Sequence, residues 1–144
     1  MNFKDIEDKI ISEIKTQLTY VRTVETYAGQ LDGKIDELPI IYPAAFVSYA
    51  GSTYDWVDGP NYNEICEFSI LVCAKNLRGN EAIRKDTYGC YQLIEGVKTN
   101  LINKTFGLAI ERLKILRVQL VYISKTVAIY GVDFQTNFDT TFNW

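Results

Sequence analysis

The feature that most constrains the fold is the alternation near the end of the chain. Between residues 127 and 142, Val132, Phe134, Thr136, Phe138, Thr140 and Phe142 fall on one side, and Asp133, Gln135, Asn137, Asp139 and Thr141 on the other. A period of two sends successive side chains to opposite faces of an extended chain. The segment therefore predicts a long antiparallel strand with one face in a core and one in water or against a polar partner.

Other segments supply the rest of a sheet. Residues 20–27 (YVRTVETY) are β-branched and aromatic and predict a short strand. Residues 44–50 (AAFVSYA) predict a strand partly covered on both faces. In residues 64–75 (EICEFSILVCAK), Cys66, Phe68, Ile70, Val72 and Ala74 share one face, while Ile65, Glu67, Ser69, Leu71 and Cys73 share the other. Residues 113–123 (LKILRVQLVYI) predict a fourth strand, with a tight turn at Lys125 and Thr126 before the last one. Residues 29–39 (GQLDGKIDELP) read as a loop, and residues 51–63 (GSTYDWVDGPNYN) as a long loop or an extended hairpin arm.

Two helices complete the pattern. Over residues 3–18, Phe3, Ile6, Ile10, Ile14 and Leu18 recur at helical spacing and Ile11 widens the stripe. Asn2 stands as N-cap and Asp5 in the first turn. The mixed charge of the opposite face favours a core-facing helix over a membrane-surface one, which is usually basic. The second helix is expected from Asn80, with Glu81 in its first turn, through Leu101, its stripe being Ile83, Thr87, Cys90, Ile94, Val97 and Leu101. Gly89 and Gly96 lie inside it, each costing roughly 1 kcal/mol relative to alanine. They mark either a close backbone approach or a helix that tolerates them through packing. The element order is thus α-β-β-β-α-β-β. The 144 residues give room for one domain. The expected class is α+β, a two-layer sandwich with an antiparallel or mixed sheet of about five strands and two helices on one face.

Composition narrows the chemistry. There are no histidines, which removes Ser-His-Asp and Cys-His catalysis and the commonest zinc ligand. Three cysteines without a C-x-x-C pair, Cys66, Cys73 and Cys90, fit neither a disulfide framework nor a thiolate metal site. Cys66 and Cys73 fall on opposite faces of one strand and are not expected to bond. Glycine-rich phosphate loops are absent. Net charge of −3 points away from nucleic-acid binding. No stretch approaches the ~18 apolar residues of a membrane span, and the charged start lacks a signal-peptide core, so a cytoplasmic chain is expected.

The candidate sites are therefore few. Asp32, Asp36 and Glu37 crowd a polar loop, Asp5, Glu7 and Asp8 line a helix, and Asp55 and Asp58 flank Trp56. Each reads as solvated surface, and a carboxylate-only enzyme has no stronger basis than these. Lys75, Arg78, Arg84 and Lys85 gather near the second helix, and Arg112, Lys114 and Arg117 before the fourth strand, without the interleaved aromatics of a nucleic-acid platform. The outstanding feature is aromatic excess: ten tyrosines, seven phenylalanines and two tryptophans. Tyr54, Trp56 and Tyr62 lie in a segment too polar to be buried, and such residues suit protein interfaces unless they fold back over their own core.

PAAFVSYAG (43–51), EFSILVCAKNLRGNEAIRKDTYGCYQLIEGVKTNL (67–101) and VAIYGVDFQTNF (127–138) resemble the Mu-type prophage tail terminator, or tail completion, family. The strand-to-helix passage AKNLRGNEAIRKDTYGCYQLIEGV is the most telling, and the likeness extends from the first helix to the final strand. The resemblance implies a non-enzymatic structural protein of a phage or phage-derived contractile tail, without cofactor. Such proteins form a ring, usually of six subunits, that ends the tail tube and presents a surface to the head. The implied partners are further copies of the chain, the tail tube protein and a neck or head–tail connector, and the implied location is the host cytoplasm during assembly and then the virion tail. The alternative within the same virion is a neck or head-completion protein. Tyr54, Trp56, Tyr62, Arg78, Arg84, Asp133 and Gln135 are the expected contact residues, the two arginines facing acids of a neighbour. DNA would pass through the ring without specific binding, and an acidic wall would not hold its phosphates.

Overall fold

The computed structural model describes residues 2–143. Its first helix forms as its sequence dictates. The Asn2 side chain accepts a hydrogen bond from the Lys4 amide at 2.9 Å, closing one orphan donor of helix α1 (Phe3–Gln17). Ile6, Ile10 and Ile14, one turn apart, are wholly buried. Burying each stabilises the fold by about 1.5–3 kcal/mol.

The strands are β1 (Thr23–Thr26), β2 (Ala44–Asp58), β3 (Asn61–Lys75), β4 (Lys114–Ile123) and β5 (Val127–Thr141), in the spatial order β1-β2-β3-β5-β4. β1 runs parallel to β2 and every other pair is antiparallel, so the sheet is mixed. The fold is the expected α+β arrangement of five strands with its helices on one face. That face joins Ile6, Ile10, Ile14, Leu93 and Val97 to Phe68, Ile70, Val72, Val132 and Phe134 in one core. A smaller core lies behind the sheet, where Leu31, Tyr27 and Tyr42 of the β1–β2 connection cover Phe46, Cys73 and Ile129. Asp36 pins that connection by accepting hydrogen bonds from Ser124 Oγ (2.6 Å), Tyr122 (3.3 Å) and Thr126 (3.4 Å). This acidic loop is a structural tie rather than an open carboxylate cluster.

Two expectations need correction. Residues 51–63 are not a loop: β2 continues to Asp58, turns through Gly59 and Pro60, and returns as β3. The hairpin-arm reading holds. Its glycine content misleads because Gly51, at φ +130°, sits in a bulge between Tyr49 and Gly51, where one extra residue is absorbed without ending the strand.

The second helix is also not continuous. It divides into α2 (Asn80–Lys85) and α3 (Cys90–Leu101). Asp86 ends α2 and is held by Arg78 Nη1 at 3.0 Å. Tyr88 adopts φ +64°, and its amide donates to the Gln92 side chain at 2.8 Å. Ile83 and Cys90 keep their place in the core while Thr87, expected in the stripe, is exposed, and Leu93 is buried instead.

The two helical glycines accordingly differ. A Cβ on Gly89 would stand 2.5 Å from the Ile83 carbonyl oxygen and 2.8 Å from that of Asp86, both backbone atoms. The atoms nearest a Cβ on Gly96 would be the Leu18 methyl groups and the Tyr20 hydroxyl, ends of side chains that can shift. Gly89→Ala should lower stability by about 2–3 kcal/mol. Gly96→Ala should change it by less than about 1 kcal/mol, since alanine's helix preference offsets the crowding. Urea unfolding of the two variants checks the order.

Candidate functional site

β3 and β5 pair without interruption from Lys75 opposite Val127 to Asn61 opposite Thr141. With the distal half of β2 they form a three-stranded arm that outruns the helices. The bulge at Gly51 reverses the side-chain parity of β2, so Ser52, Tyr54 and Trp56 share the helix-side face with Cys66, Glu64 and Tyr62, their register partners. On that face Tyr54, Tyr62 and Phe142 form a cluster. Tyr62 lies edge-on to Phe142 at 5.5 Å and to Tyr54 at 6.5 Å. Trp56 fastens the tip, its indole N–H donating to the Gly59 carbonyl at 3.0 Å, yet remains 65% exposed. The aromatics of the former loop thus pack partly on each other and present the remainder to solvent.

Glu64 lies at the base of this cluster and is 3% exposed. It accepts hydrogen bonds from Ser52 Oγ (2.8 Å) and Thr140 Oγ1 (3.1 Å), and the Tyr49 and Ser52 hydroxyls bond in turn. No cation among the described residues pairs with it. The hydroxyls satisfy the charge and fix the arm where it leaves the core. Nothing in the local sequence marks Glu64, because its partners come from β2 and β5.

The opposite face of the arm is polar, with one exception to expectation. Asp133 does not face water: it is 5% exposed. Arg117 Nη1 donates to it at 2.7 Å, Ser69 Oγ at 2.6 Å and Gln119 at 3.4 Å. The guanidinium from β4 lies across the strand and shuts the carboxylate in, so Asp133 supports the sheet from within. Gln135 lines an open groove with Glu67, Ile65, Thr53 and Gly51.

Arg78 and Arg84 stand beyond the other end of β3. Arg78 is paired with its own Asp86, and the Arg84 Nε donates to the Asn80 carbonyl at 3.4 Å. The expected contact residues therefore do not form one site. Tyr54, Trp56 and Tyr62 come together, Asp133 and Gln135 lie on the reverse face, and the two arginines are remote.

The sequence did not single out the exposed apolar run on β4. Among the described residues this strand is the last in the sheet, paired with β5 alone. Leu116, Val118, Leu120 and Val121 are all exposed. An unpaired strand edge carrying apolar side chains is a template for another strand. Charge is also divided. From residue 51 to residue 74 there is no Lys or Arg, whereas residues 112–125 hold Arg112, Lys114, Arg117 and Lys125 and no Asp or Glu.

Among the described residues no three Cys, Asp or Glu side chains stand close enough to hold a metal ion. The three cysteines are buried and unbonded. Burial pushes the Cys66 thiol up to about 12, with the Glu64 charge adding to it, and burial likewise raises Cys90 to about 12. Cys73 is raised further in the same direction, by burial and by Cys90. Such thiols are inert as nucleophiles. The Tyr42 hydroxyl, buried without a hydrogen-bond partner among the described residues, is raised to about 12, chiefly by burial.

A family model described as Bacteriophage Mu, Gp37 matches residues 2–139. No curated protein matches the sequence.

The raised thiols set an alkaline limit. In the folded chain each holds its proton to a higher pH than in the unfolded chain, where the ordinary value is 9.0. Their contribution is complete below pH 9 and is lost as pH rises from 9.0 towards about 12, Tyr42 adding to the loss over the upper part of that range. Guanidinium midpoints measured from pH 8 to pH 11 should fall steadily above pH 9, and a flat profile would contradict this burial.

Proposed function

We propose that this chain, which belongs to the Bacteriophage Mu Gp37 family over residues 2–139, is a structural phage protein that caps the tail tube as a hexameric ring. In this reading its partners are its own copies, the tube protein and a neck or head–tail connector protein. It is present in the host cytoplasm during assembly and in the virion tail afterwards.

The carrying observation is that one sheet has two unlike exposed patches, one aromatic and one aliphatic. The aromatic arm lies at one end and side, and the apolar edge of β4 at the other side. A closed ring of identical subunits needs two different patches per subunit, related by a rotation that closes. A two-fold dimer needs only one self-complementary patch. The arm also carries no Lys or Arg between residues 51 and 74. A wall built from it would let DNA pass without the counterion-releasing contacts that hold phosphate.

Purified chain added to polymerising tube protein should give short tubes with a ring at one end in electron micrographs. Tubes of uncontrolled length at every ratio would sink the reading. If the chain instead co-purifies with connector and ignores the tube, a neck role replaces the capping role. Trp56→Ala should keep the thermal midpoint within about 4 °C, since an exposed side chain contributes little to stability. It should nevertheless weaken ring formation at least tenfold, read by mass photometry.

A further inference from the structure

We infer that the outer edge of the β2 arm of one copy pairs with the β4 edge of the next, making one continuous sheet across each subunit boundary. The inference rests on the ring assembly proposed above and names its contact.

Four observations bring the two edges together. First, both are open and similar in length. β1 covers β2 only from Ala44 to Val47, leaving residues 48–58 without an outer partner, and β4 offers ten residues. Second, direction agrees. β4 is antiparallel to β5, β5 to β3 and β3 to β2. β4 lies level with residues 44–51 of its own β2, so the rotation axis must be inclined to the strands. Such a rotation keeps these senses and supplies the stagger that carries β4 past β1 to residues 48–58 of the next copy's β2, which it meets antiparallel.

Third, the faces agree. Tyr54 and Trp56 lie on the helix side of the arm, and Val118 and Leu120, opposite Val132 and Tyr130, lie on the helix side of β4. A continuous sheet would set aromatic against aliphatic there. Fourth, the charges agree on the reverse face. Asp55 and Asp58, opposite Asn63 and Asn61, share the side on which Lys114 and Arg117, opposite Gln135 and Asp133, lie. Among the described residues Asp55, Asp58, Arg112 and Lys114 belong to no ion pair, so these charges are available to a neighbour. Backbone pairing supplies the attraction, and the charges select register and order, because arm against arm or edge against edge sets like charges together.

The test uses the full chain, in which all three native thiols are buried. Asp55→Cys and Lys114→Cys variants are mixed and treated with a short bismaleimide. A cross-linked dimer should form in the mixture and not with either variant alone. Sedimentation at submillimolar concentration should show an oligomer that weakens as salt rises. Asp55→Lys with Asp58→Lys should weaken it at least tenfold, as should Arg112→Glu with Lys114→Glu, and the chain carrying all four changes should recover most of the loss. Circular dichroism verifies that each variant is folded.

A monomer at every concentration overturns the inference, as does a cross-link in Lys114→Cys alone, which would mean edge-to-edge pairing. So does a β4 variant that leaves self-association intact but loses the tube protein, which would give that edge to the tube. If the mixed cross-link forms while tubes remain uncapped, the contact stands and the capping role falls.

Discussion

The rest of the molecule depends on the β3–β5 ladder. It is uninterrupted along the whole length of both strands. At its inner half, Phe68 and Phe134 stand opposite each other on the helix face, and both are fully buried. The same ladder holds Cys73 against Ile129 on the reverse face, where the long connection closes over them. Its outer half meets the helices through Cys66 and Phe138, the latter 6.2 Å from the Phe3 ring of α1, and beyond them it carries the Tyr62–Phe142 cluster. One ladder therefore makes both the core and the projection, and the arm inherits its rigidity from strands anchored in a close-packed interior.

That anchorage explains how a polar, glycine-containing segment stays extended beyond the core. The arm is held by three strands rather than two, and an isolated hairpin would be marginal in water. Glu64 and its hydroxyl partners fix the junction, while Tyr62 and Phe142 give the outer half a small apolar cluster of its own. On the other side, Arg117 reaches from β4 to Asp133 and ties the edge strand to the centre. The edge is thus firmly held yet open along its outer side. Its bases and the arm's acids lie on separate strands, so the folded chain has an acidic side and a basic side that its modest net charge conceals.

Part of this was legible in the sequence. The alternation of β5, the isoleucine stripe of α1 and the two faces of β3 each carry a complete local pattern, and all three form as expected. The break between α2 and α3 was hidden because Ile83 and Cys90 keep helical spacing across it. The interruption resides in the Asp86 cap and the Tyr88 backbone, held by the polar side chains of Arg78 and Gln92, which an apolar period does not register. The arm was hidden because a bulge at Gly51 and a turn at Gly59 both look like loop composition. Asp133 looked solvated because its cover comes from a strand sixteen residues earlier. Only part of the candidate contact surface was readable. Trp56 and Tyr54 stood out as aromatics in polar surroundings, whereas Leu116, Val118 and Leu120 looked like ordinary core residues.

By itself the sequence determined the class of fold, the faces of its most periodic elements and the absence of histidine chemistry. These follow from residue type and from periods of two and 3.6, which are local properties of the backbone. Tertiary structure alone decided which strand lies at the edge, which carboxylates are enclosed and which apolar residues remain outside. Those outcomes depend on strand order, and strand order is set by pairings between residues far apart in the chain, which no local period encodes.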